Sequence, residues 1–207
     1  MELINNTTKT LKDDLSVEIK KGSKLSIAAA CFSIYAFQEL KKQLTSIEEL
    51  RFIFTSPTFV AEKTKKEKRE FYIPRLNRER SLYGTEFEIK LKNEMTQKAI
   101  AKECADWIKE KVTFKSNISD KTIQGQLVVD DIGYTPINNF TTVELGCEKG
   151  NVISTTIVKD QSLAQTLIRG FNEIWNDKKV LQEVTDEVIE SITAAYNENS
   201  PDFIYFV

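Results

Sequence analysis

The segment "KLSIAAACFSIYAFQELKKQLTSIEELRFIF", Lys24 to Phe54, decides the fold that this sequence predicts. Residues 25–30 form a short apolar run of the kind found in buried strands, and residues 50–54 form a second one. Between them, three apolar residues recur near the helical period: Tyr35, Leu40 and Leu44. A strand, a helix and a strand within about 30 residues make a βαβ unit, whose strands are parallel and whose crossover is right-handed.

The rest of the chain adds strands and helices to this unit. Apolar and β-branched runs predict strands at 112–117, 122–131, 142–147 and 152–158. Helical spacing predicts helices over 86–110 and 179–196. A third predicted helix, capped by Asp160 or Ser162, has five apolar residues at the helical period: Leu163, Leu167, Phe171, Ile174 and Trp175. We therefore expect an α/β fold: a mixed sheet of about six or seven strands, helices on both faces and a C-terminal helical tail.

The sequence contains no histidine, and this absence excludes more chemistry than any motif suggests. It removes Ser-His-Asp and Cys-His nucleophile pairs, histidine general bases and most transition-metal sites. Cys31, Cys104 and Cys147 lie far apart in sequence, so neither a disulfide framework nor a structural zinc site is expected. Paired carboxylates, or magnesium held by carboxylates, remain possible on composition alone.

No apolar run is long enough to span a membrane, and the N-terminus lacks the pattern of a secretory signal. A cytoplasmic protein without a membrane partner is therefore expected. The formal net charge is −2, so the chain as a whole is not a polycation. Its charges are nevertheless unevenly distributed, because from Asp186 onward every charged side chain is acidic.

The cations concentrate in "KTKKEKREFYIPRLNRER", residues 63–80, which holds eight Lys or Arg against three Glu. We call this stretch the basic segment. Its cations are Lys63, Lys65, Lys66, Lys68, Arg69, Arg75, Arg78 and Arg80. Phosphate contacts by such side chains give salt-sensitive affinity, and Phe71 and Tyr72 between them can stack on bases. The residues fit a DNA contact and a solvated surface loop about equally, and both interpretations stay open here.

The stretch "TIQGQLVVDD", residues 122–131, places two amides one residue apart. On a continuous strand Gln124 and Gln126 would face the same side, with Asp131 five residues further on. Glutamines in such positions usually face solvent or hydrogen-bond to their surroundings. Gly125, inside the predicted strand, indicates close approach of another backbone or of a bound group.

Several segments together resemble one known family. They are "KLSIAAACFSIYAFQEL" with "ELRFIFTSPTF", the segment "EFYIPRLNRERSLYGTEFEIKLKNEMTQKAIAKECADWIKEKVTFKSN", and "INNFTTVELG". Through them nearly the whole chain resembles the phospholipase D-like domain at the N-terminus of bacterial Swi/Snf-type DNA helicases. The ending "SPDFIYFV" is similar to the junction that precedes the helicase motor in such proteins. We therefore expect a fragment with an α/β domain at 1–176 and, at 177–207, a helix and the start of a linker to the motor.

The resemblance also assigns roles to the residues around the two glutamines. Active members of the wider phospholipase D family carry H-x-K-x4-D followed shortly by an asparagine: the histidine attacks phosphorus, the lysine holds the phosphate and the aspartate orients the histidine. Here Gln124, Gln126 and Asp131 stand at those three positions, and Asn139 matches the asparagine. An amide can neither attack phosphorus nor bring a positive charge, so a degenerate, non-catalytic site is implied.

The expected function is thus an accessory domain that contributes DNA binding to a helicase motor in cis. No cofactor or metal is expected in this fragment, since ATP and magnesium belong to the parent motor. A homodimer is plausible, because in active single-copy members of that family two halves build one site. Two alternatives remain open: a dimerisation or protein-interaction module without DNA affinity, and a phosphodiesterase with an unfamiliar set of residues.

Overall fold

The structure, a computed structural model, describes residues 1–57, 96–147 and 156–197. Within these ranges one mixed sheet has the strand order β1-β7-β6-β5-β2-β3-β4-β8. The strands are β1 Glu2–Ile4, β2 Lys24–Ala29, β3 Glu49–Phe54, β4 Val112–Asn117, β5 Gln126–Val129, β6 Ile132–Thr135, β7 Ile157–Asp160 and β8 Leu181–Glu183. The helices are α1 Leu11–Glu18, α2 Ile34–Glu39, α3 Lys41–Leu44, α4 Thr96–Lys111, α5 Gln161–Trp175 and α6 Thr185–Asn197.

The predicted βαβ unit is confirmed as a parallel pair. β2 and β3 pair from Lys24 opposite Glu49 to Ala29 opposite Phe54, and β4 continues the parallel set beside β3. The predicted connecting helix is interrupted at Leu40, which separates α2 from α3. The α/β class and the mixed sheet are thus as expected, with more strands than expected.

The larger core lies on one face of the sheet. Alternate residues of the central strands point into it, as the two-residue period of a strand requires. Phe32, Phe52 and Phe114 form its centre, with ring centroids 5.2–5.7 Å apart between Phe32 and the other two. Residues of α1, α2, α4 and α6 complete this core, so these helices cover the same face.

The opposite face carries a smaller apolar cluster to which α5 contributes Phe171. Ala28 and Ile53 belong to this cluster, whereas their strand neighbours belong to the larger core, so the two clusters lie on opposite faces. Asp160 caps α5, because its side chain accepts a 2.7 Å hydrogen bond from the N–H of Ser162. The choice between Asp160 and Ser162 is therefore resolved in favour of Asp160.

One predicted element is wrong, and a second is confirmed only in part. Residues 142–146 form a turn instead of a strand, since the N–H of Leu145 bonds to Thr141 and that of Cys147 to Thr142. The predicted helix over 179–196 begins only at Thr185, because Leu181–Glu183 pairs with β4 as an edge strand. Residues beyond 177 thus add a strand and a helix to the same sheet and core.

Three other elements differ in extent. The predicted strand 122–131 is confined to Gln126–Val129, and β6 follows it as a hairpin partner that the sequence did not predict. The helix predicted at 86–110 is described as Thr96–Lys111, and the strand predicted at 152–158 as Ile157–Asp160; residues 58–95 and 148–155 lie outside the described ranges. None of the helices in the described ranges is long and apolar enough to cross a membrane.

Candidate functional site

The carboxyl ends of the three parallel strands meet at one edge of the sheet, which we call the carboxyl edge. β2 ends there at Ala29, β3 at Phe54 and β4 at Asn117. β5 is antiparallel to β2, so its first residue, Gln126, lies at this edge opposite Ala28. In open α/β sheets, ligands bind in the crevice outside the carboxyl ends of the strands. The carboxyl edge is therefore the candidate position for a ligand site.

The two glutamines of the motif occupy different environments. Gln126 is half-buried, and its Nε2 donates a 3.0 Å hydrogen bond to the carbonyl of Leu167 in α5. Gln124 precedes the strand and is exposed. The rule that places alternate residues on one strand face therefore does not apply to this pair.

Gly125 explains why β5 begins at Gln126 and not at Thr122, where the predicted strand begins. A Cβ at this position would lie 1.7 Å from the carbonyl oxygen of Ile137, and the N–H of Ile137 donates a 3.1 Å hydrogen bond to the carbonyl of Gly125. The predicted close approach of another backbone at Gly125 is thus confirmed. The loop after β6 crosses the start of β5 at this point.

Asp131 lies at the opposite end of β5, in the turn to β6. It is exposed, and its Oδ2 is 3.5 Å from Nε2 of Gln161. The preceding Asp130 has a φ of 50°, and its Oδ1 accepts a 2.8 Å hydrogen bond from the N–H of Lys24. Asp131 is separated from Gln124 by the length of β5, whose residues span about 13 Å. The structure therefore does not bring these two motif residues together.

Asn139 lies at the carboxyl edge, half-buried in the loop that follows β6. Two backbone hydrogen bonds hold this loop against the end of β2. The N–H of Ala30 donates to the carbonyl of Asn138 at 2.9 Å, and the N–H of Phe140 donates to Cys31 at 2.8 Å. Of the four motif positions, Gln124, Gln126 and Asn139 are thus at or near the carboxyl edge.

Glu144 is a buried carboxylate behind this loop that the sequence did not single out. Its side chain accepts hydrogen bonds from the backbone N–H groups of Asn138, at 3.0 Å, and Asn139. Burial raises the pKa of Glu144 above its usual value, and the two N–H donors oppose this rise. Because only 7% of the residue is exposed, Glu144 positions the loop and does not face solvent.

A buried carboxamide joins two further loops at the same edge. Nδ2 of Asn117 donates hydrogen bonds to the carbonyl of Thr55 at 3.0 Å and to that of Lys121 at 2.8 Å. Its Oδ1 accepts from the N–H and the hydroxyl of Ser119. The loop after β3 and the loop after β4 are therefore held together.

The basic segment, with all eight predicted DNA-binding cations, lies outside the described residues, so the structure does not place these side chains. The described residues nearest to it, Pro57 and Thr96, mark where residues 58–95 attach to the sheet. The chain leaves β3 at the carboxyl edge through Thr55, Ser56 and Pro57. It resumes at Thr96, and because α4 must return the chain to the start of β4 at the opposite edge, Thr96 lies towards the carboxyl edge. Both attachments are therefore on this side of the sheet.

The face under α5 contains two cations that the sequence analysis missed. Arg51 donates to Oδ1 of Asn172 at 2.8 Å and to Oγ of Ser26 at 2.9 Å, and its guanidinium lies 5.1 Å from the ring centroid of Phe171. Lys115 donates to the carbonyl of Trp175 at 2.9 Å and lies 4.4 Å from its ring centroid. A charge inside the apolar strand "ELRFIF" was the signal available for Arg51.

Burial lowers the pKa of Lys115, because its ammonium group is partly removed from water. Both cations contact α5 through hydrogen bonds and aromatic rings, and Arg51 also bonds to Ser26 of β2. Arg51 and Lys115 therefore act as anchors that hold this helix on the sheet.

A second charged cluster centres on Asp14 of α1. Its carboxylate accepts hydrogen bonds from Lys159 at 2.8 Å and Tyr134 at 2.7 Å, and it is 2.5 Å from Nζ of Lys9. Burial by itself would raise the pKa of Asp14, but these donors hold the pKa below its usual value. Tyr134 and Lys159 lie 120 and 145 positions from Asp14, so no local sequence pattern predicted the cluster. It fixes α1 against β6 and β7, on the face of the larger core.

Around Gln124, Gln126 and Asn139, the described part of the carboxyl edge offers neutral amides and hydroxyls. Such groups can donate to phosphate or to bases, and the amides at the motif positions cannot attack phosphorus. Across residues 1–57, 96–147 and 156–197, no group of three or more His, Cys, Asp or Glu side chains is arranged to hold a metal ion. No protein-family model matches the chain, and no curated protein matches it significantly. Function has to follow from the residues themselves.

Proposed function

We propose that this chain is a non-catalytic, phospholipase D-like accessory domain that binds DNA at its carboxyl edge and serves a helicase motor in the same polypeptide. One observation carries the proposal: the chain leaves β3 and resumes at α4 on the side of the sheet where Gln124 and Asn139 lie. Residues 58–95, which contain the basic segment, are thus joined at both ends to the side of the sheet that carries these amides.

The charge distribution supports binding through this segment. The basic segment carries five net positive charges, whereas the whole chain carries −2, so the remainder carries −7. A polyanion is attracted to the segment and repelled by the rest of the molecule. Because neutralised phosphates release counterions, the affinity should fall steeply as salt rises.

The residues at the motif positions argue against cleavage of DNA. A phosphodiesterase of this kind needs a nucleophile and a cation beside the phosphate. Gln124 and Gln126 supply neither, and Gln126 donates its amide hydrogen to Leu167 in α5. The domain therefore binds the DNA backbone and leaves it intact.

A salt series tests the DNA-binding part. Binding of a labelled duplex is followed by fluorescence anisotropy for the parent chain and for a variant with Lys65, Lys66, Arg75 and Arg78 changed to Glu. Each lost phosphate contact should reduce the slope of log K against log salt by about one. The matched control changes four exposed lysines outside the segment to Glu: Lys20, Lys21, Lys42 and Lys102.

Equal losses of DNA affinity in the charge-reversed variant and in the control would show that the basic segment is not the DNA contact. A concentration-dependent dimer in sedimentation, with no DNA affinity at low salt, would favour the interaction module instead. For catalysis, the chain is incubated with single- and double-stranded DNA and magnesium. Cleavage that Asp131→Asn abolishes would contradict the non-catalytic assignment.

A further inference from the structure

A cavity of about 250 Å³ opens at the carboxyl edge, between the C-terminal half of α5 and the loops before β5 and β8. Its lining residues come from these three segments: Lys121, Thr122, Ile123, Glu173, Ile174, Asp177 and Val180. Pockets for drug-sized molecules span roughly 300–1,000 Å³, so this cavity suits a smaller group.

The cavity has an apolar floor and a polar rim. Ile123 and Val180 are buried, and Ile174 is half-buried. Glu173 is exposed and Asp177 half-exposed. Oδ1 of Asp177 accepts a 2.9 Å hydrogen bond from the N–H of Lys179, which leaves its Oδ2 and the Glu173 carboxylate to accept from a ligand at the rim. A floor of this kind favours a flat, apolar-faced group, and the carboxylates favour one that carries N–H donors.

Hydrogen bonds fix the walls of the cavity. The carbonyl of Asp177 accepts from the N–H groups of Val180 at 3.0 Å and Leu181 at 2.9 Å. The N–H of Ile118 donates to the carbonyl of Val180 at 2.9 Å, which joins the loop after β4 to the loop before β8. The cavity is therefore formed before a ligand arrives, which limits the entropy lost on binding.

The chemistry of the rim separates the possible ligands. Two carboxylates against the single cation of Lys121 disfavour phosphate. The apolar floor leaves a small inorganic cation without ligands on one side. A nucleobase with an exocyclic amino group satisfies both parts, because its face packs on the floor and its amino group donates to a carboxylate. Glu and Asp accept from the amino group of cytosine in this way.

The position of the cavity links it to DNA. Lys121, on the rim, is joined through Asn117 to Thr55, two residues before the last described residue ahead of the basic segment. The eight positions from Thr55 to Lys63 can span at most about 28 Å, so a strand whose phosphates contact the first cations of that segment is within reach of the rim. Bases of single strands can be splayed out and recognised through their edges and faces.

We propose that this cavity binds one unpaired base carrying an exocyclic amino group, with Glu173 and Asp177 as the acceptors; this rests on the DNA binding proposed above. Single-stranded DNA that contains cytosine should therefore bind more tightly than the same strand with thymine. Thymine presents a carbonyl where cytosine has its amino group.

Anisotropy titrations with oligo-dC and oligo-dT of equal length, at one salt concentration, test the proposal. The parent chain should bind oligo-dC about fivefold more tightly, the low end of what one good base contact contributes. Glu173→Ala should bring the ratio of the two affinities close to one. The matched control, Glu190→Ala, removes the same charge from an exposed position on α6, on the other face of the sheet.

The ratio separates base recognition from electrostatics, because losing a negative charge strengthens binding to both oligonucleotides equally. Filling the cavity with Ile174→Trp provides a second variant and should also abolish the preference. If both oligonucleotides bind the unchanged chain with equal affinity, or if the preference for oligo-dC persists in Glu173→Ala, the cavity is not a base site. The DNA-binding function would still stand. If neither binds at low salt, the proposed function fails and this inference with it.

Discussion

Asn117 is hydrogen-bonded to Thr55 beyond the last paired residues of β3 and β4, with Nδ2 3.0 Å from the Thr55 carbonyl oxygen. The same Nδ2 lies 2.8 Å from the carbonyl oxygen of Lys121. One side chain, only 2% exposed, therefore ties the end of β3, where the chain leads towards the basic segment, to the rim of the cavity. If DNA contacts both, their relative position depends on this carboxamide.

Asn117→Ala should lower the free energy of unfolding by about 2–3 kcal/mol, since the buried carboxamide bonds to Thr55, Lys121 and Ser119 would all be lost. Urea unfolding measures this loss. Asn176→Ala serves as the control, because Asn176 is exposed and its side chain bonds only to the carbonyl of Asn172 in the same helix turn. Its expected cost is within about 0.5 kcal/mol. Equal effects of the two changes would mean that Asn117 does not organise the edge.

Asp14→Asn should destabilise the protein by about 2–3 kcal/mol near neutral pH. The change removes the charge that Lys159 and Lys9 share and leaves two ammonium groups around a neutral amide. Asp13→Asn, at the exposed neighbouring position, should cost less than about 1 kcal/mol, because only its interaction with the start of α1 is lost. Chemical denaturation of the two variants measures the difference.

The effect of Asp14 should also depend on pH. Its pKa is lower in the folded chain than the usual 3.8, so its contribution is complete above that value and is lost as the pH falls through the folded pKa. The gap in stability between the parent chain and Asp14→Asn should therefore close in acid. A gap that stays constant down to about pH 2 would show that the Asp14 charge is not what stabilises the cluster.

Arg51→Lys should lower the free energy of unfolding by about 1–2 kcal/mol, although the charge is kept. A lysine cannot bond to Asn172 and Ser26 together and stacks less well on Phe171. Arg169→Lys, on the exposed side of α5, is the matched control and should be nearly neutral. If both changes cost the same in urea unfolding, Arg51 is not an anchor of the helix.

Local pattern was enough to predict the elements whose core residues repeat regularly. The βαβ unit followed from two apolar runs around a helical spacing, and α5 followed from five apolar residues with a capping Asp160 ahead of them. The strand predicted at 142–147 is wrong. Its Thr and Val residues are typical of a strand, but the N–H groups of Leu145 and Cys147 donate to the carbonyls of Thr141 and Thr142 and form a turn in which Gly146 has a φ of 75°. Here local hydrogen bonding prevailed over β-propensity.

Long-range pairing explains the other failures. β8 is a strand only because Glu183 lies opposite Lys115, which is 68 positions earlier in a different part of the chain. The same limit applies to the site. The sequence identified Gln124 and Gln126 by residue type, but the bond from Gln126 to Leu167 depends on where α5 packs. The cavity residues Ile123 and Ile174 likewise meet only in the folded chain.

Gly125→Ala should destabilise the protein by about 3 kcal/mol or more, because the new Cβ would overlap a backbone carbonyl that cannot rotate away. The overlap is with Ile137, at 1.7 Å, so the loop that carries Asn139 must move. Gly170→Ala is the control: nothing lies within 4 Å of its Cβ, and inside α5 alanine should stabilise by about 0.5–1 kcal/mol. Opposite signs in urea unfolding are expected. A neutral Gly125→Ala would mean that the two backbones do not meet, and that the carboxyl edge is not built around this contact.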